Sequence, residues 1–401
     1  MVLLSELELS VAEQRSMLNE LVDGQSRERL FKTKLSRDFV TIITGIRRCG
    51  KSTLMRQLMR QFPSDKIAFF NFEDPRVFGF DVHDFAKFDT LFEGKEVFFF
   101  DEIQNVENWE LYVRKLHDQQ KTVCITGSNA SLLSKELGTR LTGRHLQVEL
   151  FPFSFSEFSD LLGKEKTQET FDEFLKYGGL PAYVQTQNVQ YLQQLFRDIL
   201  YRDIIVRYGI RNAHTVEALA LYLMSNVGKL YSLNTLKKTF EIGSANSVSD
   251  YLHYFDDSYL LFSLPKFSWS LKSVAINQKK IYTIDSGFAQ ANSLSFTKDK
   301  GRLLENQAFI HLKNQGKELY YFKEKGECDF VVKEGEKVTE LIQVCYELTT
   351  DNLKREMNGL LEALHFFGLQ KGTIVTLKQN DFFVQEGKEI QVISGDKWFS
   401  K

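Results

Sequence analysis

Between Phe39 and Val148 short, nearly continuous apolar runs punctuate the chain: FVTIITG, KIAFFNFE, EVFFFDE, TVCITGS and HLQVEL. Amphipathic stretches separate them. Strands that are apolar at every residue, rather than at alternate ones, suit a parallel sheet covered on both faces. Strand and helix in alternation predict a doubly wound α/β domain over 37–150, with ligands at the carboxyl ends of its strands. Ahead of it, residues 1–36 read as a polar helical lead-in that ends in a basic, loop-like stretch, RERLFKTKLSRD.

Past Phe151-Pro152 the periodicity becomes helical. FSEFSDLLG, ETFDEFLKYGG and VQYLQQLFRDILYRDIIVRYG make a helical lid over 151–210. Over 211–290 the pattern predicts helices at Val216–Asn226, Leu233–Phe240 and Ala245–Asp257. A strand, YLLFSLP, then pairs with IYTID as a hairpin. Three helices followed by a β-hairpin predict a winged helix-turn-helix. From 300 to 401 a helix (Leu303–Asn314), three strands (ELYYFK, ECDFVVK, VTELIQVCYEL), a helix (Asn352–Phe366) and a strand (GTIVTL) form a compact α-β-β-β-α-β unit.

Composition narrows the function classes. The net charge of −2 excludes a polybasic protein drawn globally to nucleic acid or anionic lipid, so any such binding is local. The four cysteines, Cys49, Cys124, Cys328 and Cys345, form no CxxC pair, which argues against a zinc site or a disulfide framework and fits a reducing, cytoplasmic compartment. Phe outnumbers Trp 35 to 3 and sits within the strand-like runs, so it reads as core filling. The start, MVLLSELELSVAEQ, is too short in its apolar part for a signal peptide. No apolar run approaches the roughly 20 residues that span a bilayer, so a soluble protein with no membrane partner is expected.

Gly45 to Thr53, GIRRCGKST, fits GxxxxGK[ST] between a strand and a helix. Gly45 and Gly50 let backbone N–H groups turn inward around phosphate oxygens. Lys51 is placed to bridge the β and γ phosphates of ATP, and Ser52 to hold Mg2+. Arg47, Arg48 and Cys49 lie within the loop. At the end of EVFFFDE, Asp101 is the second magnesium ligand, and Glu102 is placed to polarise the attacking water. TVCITGSN delivers Ser128 and Asn129 to the same edge, either to sense the γ-phosphate and orient the water or only to cap a following helix. Glu73 ends the second strand near the same place. In GTRLTGR, Arg144, and less so Arg140, is placed to reach a γ-phosphate in its own or a neighbouring subunit, the latter requiring a homo-oligomer.

GIRRCGKST, NFEDPR, FFFDEIQNVENWE, ITGSNASLL, LTGR, ELFPFSFSEF, YGGLP and YRDIIVRYG, in that order, resemble the bacterial and archaeal AAA-type ATP-binding proteins with a C-terminal DUF4143 domain. The resemblance spans nearly the whole chain. It implies an AAA-type P-loop fold that binds ATP with Mg2+, Arg144 as the arginine finger, a winged helix, and a C-terminal α/β domain of restriction-endonuclease type. Such a nuclease holds its metal through an acid on one strand and acid-x-Lys on the next. Glu305 lies on the preceding helix and Asp329 matches the strand acid, but Gln343-x-Cys345 stands where acid-x-Lys is expected, so the site reads as degenerate.

The winged segment sets Lys229, Lys237 and Lys238 against Glu217, Glu241, Asp250, Asp256 and Asp257, and its third helix has no Lys or Arg. The wing, KFSWSLKSVAINQKK, adds lysines and Trp269, which leaves a DNA partner and a protein partner both open. Three functions follow: an ATPase switch, an ATP-gated nuclease, and a nucleotide-binding regulator without turnover.

Overall fold

The computed structural model describes residues 1–20, 24, 26, 27, 33–128, 141, 143–293 and 299–401, which divide into two compact units, Met1–Leu150 and Phe151–Lys401. No helix among the described residues is long and apolar enough to cross a membrane.

The first unit is built on β1 (Val40–Thr44), β2 (Ile67–Asn71), β3 (Val97–Asp101), β4 (Thr122–Gly127) and β5 (His145–Glu149), in the order β2-β3-β4-β1-β5 with every pair parallel. The three central strands, β1, β3 and β4, are buried at every residue, as their unbroken apolar runs predict. Register aligns Asn71 with Asp101, and Thr44 with both Gly127 and Glu149, so the strand ends form one carboxyl edge. Phe70, Phe72, Phe80, Phe85, Phe88 and Phe100 interlock beside the sheet, with ring centroids 4.9–6.4 Å apart.

The lead-in belongs to this unit. Val2 and Leu7 join the phenylalanine core, and α1 (Leu4–Glu20) lies on the edge strand β2. There Gln14 donates from Nε2 to the carbonyl of Asn71 (3.2 Å) and accepts from its N–H (2.8 Å), covering an edge that a sheet otherwise leaves open.

The first unit's remaining helices are α2 (Lys51–Met59), α3 (Phe85–Leu91) and α4 (Glu110–Asp118). Then come α5 (Phe155–Leu162), α6 (Gln168–Tyr177), α7 (Pro181–Thr186) and α8 (Val189–Asp198), which runs into a π-helical turn at Ile199–Val206. Ser154 and Glu157 close a capping box at the start of α5.

The YGGLP signature has a structural cause. Gly179 accepts from the Phe153 N–H (2.7 Å), and its own N–H donates to Asp285 Oδ2 (2.6 Å). A Cβ on Gly179 would stand 2.2 Å from the Phe153 carbonyl oxygen, so only glycine lets these backbones meet. Asp285 also caps α13 (Ser286–Asn292), accepting from Phe288 N–H at 2.9 Å.

Between these elements lie α9 (Ala213–Met224), β6 (Leu230–Tyr231), α10 (Leu233–Thr239), α11 (Ala245–Asp257), β7 (Leu261–Pro265), α12 (Leu271–Ile276) and β8 (Lys279–Thr283); β6-β8-β7 form a small antiparallel sheet. The expected third helix, Ala245–Asp257, is observed with those bounds. A short helix, α12, stands where the sequence suggested only a connection between hairpin strands.

The C-terminal elements are α14 (Lys300–Asn314), β9 (Glu318–Lys323), β10 (Glu327–Glu334), β11 (Lys337–Val344), α15 (Leu353–Phe367), β12 (Lys371–Thr376), β13 (Asp381–Gln385), β14 (Lys388–Ser394) and α16 (Gly395–Trp398). Their mixed sheet has the order β13-β14-β12-β11-β10-β9, two strands more than the sequence suggested.

Candidate functional site: a phosphate loop and a lysine-filled acid cluster

Gly45 to Gly50 leave the carboxyl end of β1 and turn into α2, so the loop sits at a buried strand end and a helix N-terminus. Gly45, at φ 149°, would place a Cβ 2.2 Å from the Leu150 carbonyl oxygen; Gly50, at φ 103°, makes the turn into the helix. Lys51 is buried, and its Nζ donates to the carbonyl oxygens of Gly45 (3.1 Å) and Ile46 (3.2 Å) and lies 3.7 Å from Glu102 Oε1. Burial alone would lower its pKa, but Glu102, with Cys49 and Asp101, raises it, so the ammonium stays charged inside the loop.

Asp101 is the last residue of β3 and is buried there. Burial, with Glu102 beside it, raises its pKa, although Thr126 and Ser52 both donate hydrogen bonds to it. A carboxylate so placed, with the Ser52 hydroxyl beside it, fits a hard divalent cation, which would relieve the cost of its burial. Among the described residues no group of three or more His, Cys, Asp or Glu side chains is placed to hold a metal.

Glu102 follows in a left-handed turn, φ 52°, which swings its side chain back along the edge toward Lys51. Its N–H donates to Thr126 Oγ1 (3.0 Å), so one threonine on β4 holds both acids of β3. Ser128 is buried next to them, where Gln104 Nε2 reaches both Glu102 Oε2 and Ser128 Oγ, the latter at 3.4 Å.

The remaining predicted residues divide. Cys49 is fully buried, and burial raises its thiol pKa against the lowering by Lys51 and Arg27. Arg47 Nη1 pairs with Glu73 Oε1 at 3.1 Å, bringing the ends of β1 and β2 together. Arg48 is exposed at φ 67°, and Thr53 Oγ1 accepts from Arg56 (3.3 Å). Asn129 and Arg140 lie outside the described residues. Arg144 is not brought to its own loop. Its carbonyl accepts from Val40 N–H at the amino end of β1, and its guanidinium pairs with Asp118 Oδ1 at 2.7 Å. The five residues of β1 therefore separate it from Gly45, roughly 15 Å at the rise of a strand. Thr126, Gln104 and Arg27 went unread in the sequence. Arg27 is buried against the loop and donates from Nη1 to the Cys49 carbonyl at 3.3 Å.

The C-terminal acids gather around a lysine that sequence spacing does not reveal. Lys280 Nζ lies 2.7 Å from Asp329 Oδ1, 2.8 Å from Glu327 Oε1 and 3.1 Å from Glu305 Oε1, and its side chain is 3% exposed. It comes from β8, two residues before Tyr282, whose hydroxyl donates to Glu305 Oε1 at 2.6 Å; strand alternation puts both on one face. Burial would lower the Lys280 pKa, but Asp329 and Glu305 hold it well above its usual value. Burial raises that of Glu305 to about 7.

Gln343 accepts from the Asp329 N–H (3.2 Å) and donates to Glu356 Oε2 (2.7 Å), so it ties backbone to helix. Cys345 stands apart, its Sγ 3.1 Å from the Glu347 carbonyl oxygen. Lys280 is thus a correction to the wing as a basic surface: it points into the protein, and Lys266 is engaged by Glu324 at 3.0 Å.

Comparison with known proteins places an AAA domain (AAA_14) on residues 37–159 and a domain of unknown function, DUF8612, on residues 168–299. The motifs had implied DUF4143; the second domain matched is DUF8612, and it ends before the C-terminal sheet begins. An uncharacterized protein of Methanocaldococcus jannaschii, MJ1544, is 33% identical over 380 residues, 88% of this chain and 85% of that one. An uncharacterized protein of Haemophilus influenzae is 31% identical over 347 residues, 79% of this chain and 86% of its own. Among solved structures, AMPPCP-bound DnaA from Aquifex aeolicus is similar over 60% of this chain and 90% of that one, at 13% identity and a TM-score of 0.32. Drosophila ORC bound to AT-rich DNA and Cdc6 is similar over 72% and 90%, at 10% identity and a TM-score of 0.21.

Proposed function

The chain belongs to the family of MJ1544 and carries an AAA domain of the P-loop ATPase type, and on that premise we propose that it is a Mg2+-dependent ATPase whose nucleotide state switches the binding surfaces of its second unit. The observation that carries this is the convergence of Lys51, Ser52, Asp101 and Glu102 at one carboxyl edge of a parallel sheet, with Lys51 and Glu102 3.7 Å apart. A loop of inward backbone N–H groups and a buried ammonium suit a polyphosphate, and a carboxylate within reach suits activation of water.

In catalysis Lys51 exchanges its bonds to the Gly45 and Ile46 carbonyls for the β and γ phosphates of ATP. Ser52 and Asp101 would hold Mg2+, whose charge would offset that of the phosphates. Glu102 accepts the proton of the attacking water. Thr126, bound to the Asp101 carboxylate and to the Glu102 backbone N–H, fixes the strand end so that Asp101 would face the metal and Glu102 the water. Arg144, far from its own loop and exposed beside Asp118, serves in this proposal the phosphates of a neighbouring copy, which makes the working unit an oligomer.

We read the segment from α9 to β8 as a winged helix that packs against protein rather than DNA. The support is that Lys280 is turned inward and Lys266 is paired, which leaves Lys272 and Lys279, half of the wing's four lysines, for phosphates. A nuclease gated by ATP gains no support, because Glu305 and Asp329, the acids it would need for metal, are bound to Lys280.

Phosphate release from ATP by the full chain tests the proposal. Turnover that requires Mg2+, stops with EDTA and is lost in Lys51→Ala is the expected result. Turnover that persists in Lys51→Ala would overturn it.

A further inference from the structure

Gln104 is the second residue after Glu102, at the centre of the tight turn Ile103–Asn105 that follows β3. The turn folds its side chain back toward the strand end. There Nε2 donates to Glu102 Oε2 and lies 3.4 Å from Ser128 Oγ. A carboxylate accepts but does not donate, so Glu102 fixes which end of the amide is NH2. The other end, Oε1, is buried and accepts no hydrogen bond from any described residue. A buried carbonyl without a donor is costly, and such an atom beside a reactive carboxylate points to a missing donor.

We propose that Gln104 is a positioning residue for hydrolysis, its Oε1 accepting a hydrogen bond from one O–H of the attacking water, which stays with the oxygen, while Glu102 takes the proton of the other. The inference rests on the ATPase function proposed above. Two acceptors joined by the Gln104–Glu102 bond would engage both O–H groups of the water and leave its lone pairs free for the γ-phosphorus. The new bond forms from water oxygen to γ-phosphorus. The bond from that phosphorus to the β,γ-bridging oxygen breaks, and its electron pair leaves on ADP. One proton of the water passes to Glu102, and the products are ADP and inorganic phosphate. Neither acceptor alone restricts the water in this way, because a lone carboxylate accepts over a wide range of directions.

The test compares wild type, Gln104→Leu and Gln104→Asn for ATP hydrolysis, affinity for a fluorescent ATP analogue, and thermal stability. Leucine keeps the volume and removes both amide functions; asparagine keeps the amide and shortens its reach. Turnover in Gln104→Leu falls by about 10- to 100-fold, the scale set by loss of orientation of a reactant. Nucleotide affinity stays within about two-fold of wild type, because the water is not part of ground-state binding. Gln104→Asn falls between them. Wild-type turnover with an unchanged rate in Gln104→Leu would overturn the inference alone. So would equal losses of affinity, stability and rate in both variants, which mark a structural role. No turnover in the wild type would remove the ATPase proposal, and this inference with it.

Discussion

Replacing Lys280 with methionine removes an ammonium that three carboxylates share and leaves the side-chain stem nearly intact. Asp329 and Glu305 are almost completely buried, and Lys280 lies within 3.1 Å of both. Taking one partner from a buried ion pair costs about 3–5 kcal/mol, because the remaining charge has neither water nor counter-ion. In a unit of this size each kcal/mol moves Tm by roughly 2–4 °C, so Lys280→Met should lower the transition of the second unit by roughly 10 °C at pH 8.

The pH dependence follows from the signs. Lys280 has a folded pKa above its unfolded value, so its contribution is fully present below the unfolded pKa and is lost only as pH rises through the folded one. Wild type therefore keeps it at both pH 8 and pH 5. In the variant the carboxylates decide, and Glu305, already raised to about 7, takes up a proton at pH 5 and sheds its charge. The deficit at pH 5 should be about half that at pH 8. Scanning calorimetry at the two pH values measures both, and Lys280→Met with Asp329→Asn should be no less stable than Lys280→Met alone. A deficit below about 1 kcal/mol at pH 8, or one that does not change with pH, would refute an ionic cluster whose only buried cation is Lys280 among the described residues.

Two further outcomes are expected. Gly179→Ala should cost at least about 2 kcal/mol or leave the chain insoluble, since its Cβ would meet the Phe153 carbonyl at 2.2 Å with backbone on both sides; denaturant unfolding measures it. Burial lowers the His311 pKa to about 4, and its Nε2 takes a hydrogen bond from Gln315. Unfolded chain therefore binds the extra proton between pH 6.5 and 4, stability falls over that window by about 3 kcal/mol, and His311→Gln should flatten the decline in a pH series of Tm values.

The nucleotide edge was legible because its chemistry is contiguous along the chain. GIRRCGKST and FFFDE each join a buried strand to the groups that leave it, and a parallel sheet then aligns the strand ends. What escaped depends on facts that no local window holds. LTGR places an arginine in a polar loop, but only the register of β5 on β1 shows that this loop lies at the amino edge of the sheet. Lys280 reads as wing charge until β8 pairs with β7 and turns alternate residues inward. The acids it joins come from α14 and β10, 25 and 49 residues further on. The lead-in looked polar because few of its residues, Val2, Leu7 and the partly buried Val11, reach the core, while Gln14 binds the edge strand through its amide. Strand β13 is exposed at four of its five residues, and β14 opens on Lys-Glu and is interrupted by Gln391, so neither carries the long apolar signal of the central sheet.

The central claim is that Glu102 activates water at a nucleotide site formed by Lys51, Ser52 and Asp101. Single-turnover hydrolysis of ATP by Glu102→Gln, with ATP binding measured on the same preparation, tests it most directly. The account predicts that ATP still binds with Mg2+ while the hydrolytic rate falls by about 100-fold or more. A variant that hydrolyses ATP at the wild-type rate would contradict it.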